Sequence, residues 1–174
     1  MGRKESRIQS WTNRFLLTIF VVFTSQNLIS SPVDDHQERF EDVALKIWEY
    51  AELGYLEEKS SGLLQQELED SGFTIQSGIA GIPTAFIAEY NNGGPVLGIL
   101  GEFDALPGLS QQNVPFKTAE GLSSANGHAC GHHLFGAASA WAVVAIKEWL
   151  EESGTPGTVC LLYTSDAADE LRSV

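Results

Sequence analysis

The chain has 174 residues, enough for one modest core once its two ends are set aside. Its 10 basic and 23 acidic side chains give a formal net charge of −13. No basic patch, Gly-rich phosphate loop or aromatic–basic interleaving relieves that balance, which argues against nucleic acid or an anionic membrane surface as partner.

The N-terminus sets Arg3, Lys4, Arg7 and Arg14 ahead of an apolar run, Phe15 to Phe23, broken only by Thr18. That run is shorter than the ~20 residues a spanning helix needs. A basic leader, a short apolar stretch and a Ser/Asn-rich exit read as a secretory signal over residues 1–31, with export to a periplasmic or extracellular compartment. The exit "TSQNLISSPVDD" has no small-x-small cleavage site, so an uncleaved membrane anchor at residues 15–23 is the alternative.

From Asp34 the period becomes helical. Phe40, Val43, Ile47 and Tyr50 predict a first helix that ends at Gly54. Leu63, Leu64 and Leu68 predict a second, capped by Ser60 or Ser61 and stopped by Gly72. "FTIQSG", "TAFIAEY" and "PVLGILGEF" then read as strands, with "NNGG" a turn. "PVLGIL" is almost continuously apolar, the pattern of a strand buried on both faces. A long loop of turn formers leads to His128, and a helix is expected from about His132 to Glu152. Its first four turns are apolar nearly all round, so it is expected to lie enclosed in a layered domain. "GTV" opens a further strand, and the whole order indicates an α/β layered fold.

The end of the chain is different in kind. Cys160 to Glu170, "CLLYTSDAADE", resembles a translation of the transposase adapter used in short-read sequencing libraries. On that reading residues 160–174 are a non-native tail and the native sequence stops at or near Val159, although "GTVCLLYT" also fits a strand. Cys130 is then the single native cysteine, which leaves no partner for a disulfide and no C-x-x-C motif.

The chemistry concentrates in "GHACGHHLFG", Gly127 to Gly136, where three of the four histidines surround Cys130. Cys130 and His132 stand two apart where a loop enters a helix. The partial positive charge of a helix N-terminus favours the thiolate, the form that binds metal. Imidazole with thiolate suits zinc and other divalent first-row ions. Asp104, just past the carboxyl end of the most buried strand, is the carboxylate placed to hold such a histidine in one tautomer. Glu102 is expected to point to the opposite side and is the weaker candidate. The residues alone leave three readings open: a metal site, a Cys–His nucleophile, and histidines that simply pack a helix start.

"GILGEFDALPGLSQ" followed by "GHACGHHLFGAASA" resembles the M20 metallopeptidases, nearest the amidohydrolase branch that contains p-aminobenzoyl-glutamate hydrolase subunits. "AELGYLEEKSSGLLQQELEDSGF", "GIPTAFIAEY" and "GTPGTV" extend the likeness from Phe40 to Val159. The resemblance implies that residues 32–159 are the N-terminal part of a zinc-exopeptidase-like catalytic domain, truncated and without the family's inserted dimerisation domain. It implies Cys130 and His132 as metal ligands, the cysteine bridging two divalent ions, Zn or Mn, and Asp104 as the residue that orients a ligand. His133 stands where better-known members carry aspartate and is not counted as a ligand; His128 matches a family histidine whose role stays open. The implied reaction is hydrolysis of an amide in an N-acyl amino acid or dipeptide-like substrate with a free carboxylate, by a protein that forms a homodimer. The family's glutamate base and further ligands lie beyond "GTV", so this chain alone is expected to be inactive. Asp169 and Glu170 imitate the family's acidic pair but belong to the adapter-like run. The alternative from another class is an exported metal-binding module without catalysis.

Overall fold

The computed structural model describes residues 33–116, 118 and 125–164. The expected leader at 1–31 and the tail beyond Thr164, with Asp169 and Glu170, lie outside the described residues. Within them no helix is long and apolar enough to cross a membrane.

Helix α1 (Gln37–Tyr50) buries Phe40, Val43, Ala44 and Ile47, one stripe at helical spacing. It stops before Gly54. Ala51 takes the left-handed conformation, φ 43°, and its N–H closes on the Ile47 carbonyl at 3.1 Å. The residues released are used elsewhere: the Glu52 carboxylate accepts the N–H groups of Lys59 (3.0 Å) and Ser60 (2.9 Å), at the start of helix α2 (Glu58–Asp70). The expected caps, Ser60 and Ser61, are therefore not at the boundary but buried inside α2. A carboxylate brought from the preceding loop satisfies the helix's first donors and complements its dipole. Ser61 Oγ donates to the Thr84 carbonyl and Thr84 Oγ1 to the buried Glu57 carboxylate, tying this end of α2 to the segment before β2. Gly72, at φ 87°, follows the helix as expected.

The strands fall where the sequence pattern puts them: β1 (Thr74–Ser77), β2 (Phe86–Asn91) and β3 (Val96–Gly101). Helix α3 (His132–Ser153) then crosses over to β4 (Thr158–Tyr163), so β4 includes Cys160–Tyr163 of the adapter-like run. The sheet order is β1-β2-β4-β3. β1–β2 and β2–β4 are antiparallel, while β3 and β4, joined through α3, are parallel.

One core joins the three helices to one face of this sheet. Phe40, Ile47, Leu64, Leu68, Ala140 and Val143 pack with Phe86, Ala88, Val159, Leu161 and Tyr163. The registers Phe86↔Tyr163 and Ala88↔Leu161 put those strand residues on the same side. Among the described residues no helix covers the other side. This differs from the expectation that "PVLGIL" is buried on both faces and α3 enclosed all round: Val96 (69%), Leu97 (50%) and Leu100 (62%) on β3 are exposed, as are Leu134 (58%) and Trp149 (54%) on α3. The described residues form two layers, helices on one face of a mixed sheet.

Candidate metal centre

β3 ends at Gly101, and the chain after it is held from both sides. Ala105 donates its N–H to the Glu52 carbonyl at 2.7 Å, and Leu106 exchanges backbone bonds with Gly127 at 2.9 and 3.0 Å. Asn126 Nδ2 donates to the Ala51 carbonyl at 3.1 Å. Asp104 is thus fixed, and buried, between the α1–α2 loop and the segment that enters α3. That segment turns at Ala129–Cys130, closed by the Gly131 N–H on the His128 carbonyl at 3.1 Å. Gly131, at φ 80°, occupies a conformation that residues with a Cβ rarely adopt, and α3 starts directly after it.

His132 is therefore the first residue of α3, and it faces the loop beyond β3. Its Nδ1 lies 3.0 Å from Asp104 Oδ1, the contact expected from the sequence. Its Nε2 lies 3.2 Å from Glu102 Oε2. The expectation that Glu102 points away fails, because it assumed that strand alternation continues; the strand has ended at Gly101, and both carboxylates turn to the same imidazole. Gly136, one helical turn on from His132, permits this approach. A Cβ there would lie 2.8 Å from the Glu102 carbonyl oxygen. Cys130 is exposed and takes part in no disulfide.

The other two histidines are different. His128 Nε2 donates to the Ile47 carbonyl at 3.0 Å. Its ring lies 4.9 Å from that of His133, which meets Trp48 edge-on at 4.9 Å. Burial pulls the His128 pKa down. Burial, with the neighbouring His128 and His132 adding to it, takes His133 down to about 4. Both imidazoles are neutral near pH 7, and the Nδ1 atoms of both are buried without a hydrogen-bond partner. His133 packs the helix start against Trp48 and His128. Trp48, which organises this packing, was not singled out by the sequence; it also lines a cleft of about 630 Å³ with Leu45, Glu49, Ser110 and Asn126.

The donors fit a divalent ion in kind: a thiol two residues from an imidazole whose Nδ1 is held by a buried carboxylate. In number they fall short, since among the described residues no group of three or more His, Cys, Asp or Glu side chains is arranged to hold a metal.

No family model matches the chain. Individual proteins do. A p-aminobenzoyl-glutamate hydrolase subunit of Escherichia coli is 41% identical over 131 residues, 75% of this chain and 27% of that protein. Xaa-Arg dipeptidase of Mus musculus is 29% identical over 149 residues, 79% of this chain and 30% of the relative. Among solved structures, a Bacillus subtilis protein described as a dinuclear metal-binding peptidase of the M20 family superposes with a TM-score of 0.62 at 26% identity, covering 74% of this chain and 35% of that one. The chain thus spans between a quarter and about a third of the length of these proteins.

Proposed function

We propose, from the chain's membership of the M20 family of metallopeptidases and amidohydrolases, that the whole protein is a metal-dependent hydrolase of amide bonds in N-acyl amino acids or dipeptide-like substrates with a free carboxylate. The observation that carries the reading is the buried Asp104–His132 pair, with Cys130 two residues before His132 in the chain. Asp104 accepts the Nδ1 proton, which leaves Nε2, 3.2 Å from Glu102 Oε2, as the ring atom that would hold a metal. Cys130 supplies a second donor from the turn, next to the positive end of α3. Two divalent ions, Zn or Mn, are the cofactors this donor chemistry and the M20 likeness favour, and Cys130 and His132 are the residues of this chain that would hold them. Such ions polarise an amide carbonyl and lower the pKa of a bound water. Buried Asp104 keeps the imidazole from rotating, and Gly136 keeps α3 close to the loop that carries both carboxylates. We take the whole protein to be a homodimer exported from the cytoplasm, the latter from the basic leader and apolar run at 15–23.

Cobalt titration tests the ligands. In the chimera with the E. coli relative described next, a thiolate-to-cobalt charge-transfer band that disappears in Cys130→Ala and weakens in His132→Ala is the expected result; no band there removes the metal reading. Turnover is tested separately, with p-aminobenzoyl-glutamate and N-acyl amino acids in Zn²⁺ or Mn²⁺. The 174-residue chain is expected to show none, and a chimera in which segment 40–159 replaces its counterpart in the E. coli relative is expected to be active. A chimera that folds and binds metal without turnover contradicts the hydrolase proposal and favours a non-catalytic metal-binding module.

A further inference from the structure

The loop between α1 and α2 is held in a shape its residues do not favour. Ala51 (φ 43°) and Tyr55 (φ 63°) both take the left-handed conformation without being glycine. Such positions persist only where the surroundings over-determine them. Asn126 Nδ2 donates to the Ala51 carbonyl at 3.1 Å, and the buried Glu57 carboxylate accepts the Thr84 hydroxyl at 2.8 Å. Between these two anchors Glu52 is engaged in both directions. One carboxylate oxygen accepts the Lys59 N–H at 3.0 Å. The other accepts the Ser60 N–H at 2.9 Å and the Ser60 hydroxyl at 2.8 Å. The backbone carbonyl of Glu52 accepts the Ala105 N–H at 2.7 Å, and Leu53 forms a bridge with Ala105.

Ala105 follows Asp104, whose Oδ1 lies 3.0 Å from His132 Nδ1. We propose that Glu52 is a positioning residue for this pair. Its carboxylate locks the loop onto the start of α2, and its carbonyl, held in place by that lock, fixes the backbone that carries Asp104. A helix cap alone does not require this arrangement. Caps usually come from the residue that borders the helix. Here that residue, Glu57, makes no side-chain cap bond, and its carboxylate is turned inward to Thr84. The acceptors come from earlier in the loop, from the residue whose carbonyl holds Ala105. The neighbouring tie, Leu106 with Gly127, is main chain to main chain, whereas the tie at Ala105 depends on where a side chain holds Glu52. Without the carboxylate, Ala51 and Tyr55 are free to leave the left-handed region. The Glu52 carbonyl then moves, and Asp104 gains freedom against His132. The effect on metal affinity rests on the reading of His132 as a ligand; the effect on the Asp104–His132 bond does not.

The test uses the chimera with the E. coli relative described above. Glu52→Gln keeps the size of the side chain but turns an amide NH2, in place of an oxygen, toward one of the α2 N–H groups. It is expected to weaken cobalt binding roughly tenfold, the low end of the loss when a metal-bound histidine is deprived of its partner. In the metal-free protein it is expected to speed exchange of the His132 Nδ1 proton with water, also roughly tenfold, as the pair opens more often. Ser60→Ala removes only the hydroxyl; it is expected to move both readings the same way by less, and it serves if Glu52→Gln does not fold. Leu68→Ala is the control for a general loosening of α2. Leu68 is fully buried at the far end of that helix, and its truncation is expected to lower the urea midpoint while leaving both readings at parent values. In an Asp104→Asn background, Glu52→Gln is expected to have no further effect on cobalt affinity. If Glu52→Gln lowers the urea midpoint but leaves proton exchange and cobalt affinity unchanged, Glu52 is a helix cap only and the proposal is overturned. Equal changes in Leu68→Ala overturn it too, as does a further tenfold loss in the Asp104→Asn background. A parent chimera without a cobalt band removes the metal reading alone; proton exchange, read without metal, still decides the role of Glu52.

Discussion

Gly136→Ala probes the contact on which the candidate centre rests. An added Cβ lies 2.8 Å from the Glu102 carbonyl oxygen and 3.2 Å from Phe103 Cβ. Ordinary van der Waals separation is about 3.5 Å, so α3 and the loop must part by about half an ångström or more. Overpacking of this kind costs about 1–3 kcal/mol, and removing a glycine from a helix interior returns about 0.5–1 kcal/mol. The net expectation is a loss of about 1–2 kcal/mol. The same displacement stretches the 3.0 Å His132–Asp104 contact toward ~3.5 Å, outside hydrogen-bonding distance. Gly62→Ala supplies the internal control. Gly62 lies in α2 with nothing within 4 Å of its added Cβ, so alanine there is expected to stabilise by about 0.5–1 kcal/mol. Urea unfolding measures both, and the ¹⁵N chemical shifts of the His132 ring report whether its Nδ1 bond survives. If Gly136→Ala stabilises as Gly62→Ala does and leaves the His132 ring shifts in place, the helix and loop are not in close contact and the reasoning fails.

Asp104→Asn is expected to weaken cobalt binding about 10–100-fold with little change in fold, since the amide can still meet Nδ1 but no longer fixes its tautomer; unchanged affinity in the titration counts against the orienting role. In metal-free buffer the chain is expected to lose about 3 kcal/mol of stability between pH 6.5 and pH 4 through His133 alone. The sign follows from the lowered pKa: the unfolded chain takes up a proton below 6.5 that the folded chain refuses until about 4, so stability falls as pH falls through that window. Urea midpoints across that range should flatten in His133→Asn; an identical slope in the variant assigns the acid lability to other groups. Leu64→Ala removes a fully buried side chain shared by the helix and sheet layers and is expected to cost about 2–5 kcal/mol, read as a lower urea midpoint.

The sequence was most legible where local periodicity and tertiary need agree. Phe40, Val43 and Ile47 mark one helical face, and that face is the one buried. Helix boundaries were less legible, because their stop and start signals here are non-local. Glu52 sits six residues before α2 and caps it through a loop, while a serine at the expected cap position turns inward to bond the Thr84 carbonyl. Nothing in the spacing of Ser60 and Ser61 distinguishes those two uses. Strand composition also misled. "PVLGIL" has the apolar continuity of a doubly covered strand, yet among the described residues it is covered on one face at most.

The candidate centre shows the same division between what spacing specifies and what packing decides. Three histidines within six residues look alike in sequence. The fold gives His132 to two carboxylates and sets His128 and His133 against Trp48. The difference comes from helix phase. His132, at the first position of α3, shares its face with Gly136, where the missing Cβ admits the loop carrying Glu102 and Asp104. His133 lies about 100° further round and meets the apolar side of α1 instead. Asp104 was readable because its distance from the strand end is local. Glu102 was not, because its direction depends on β3 ending at Gly101, one residue before it. A carboxylate immediately after a strand should therefore not be assigned a side by alternation. In this chain that single residue decides whether the imidazole of His132 meets one acid or two.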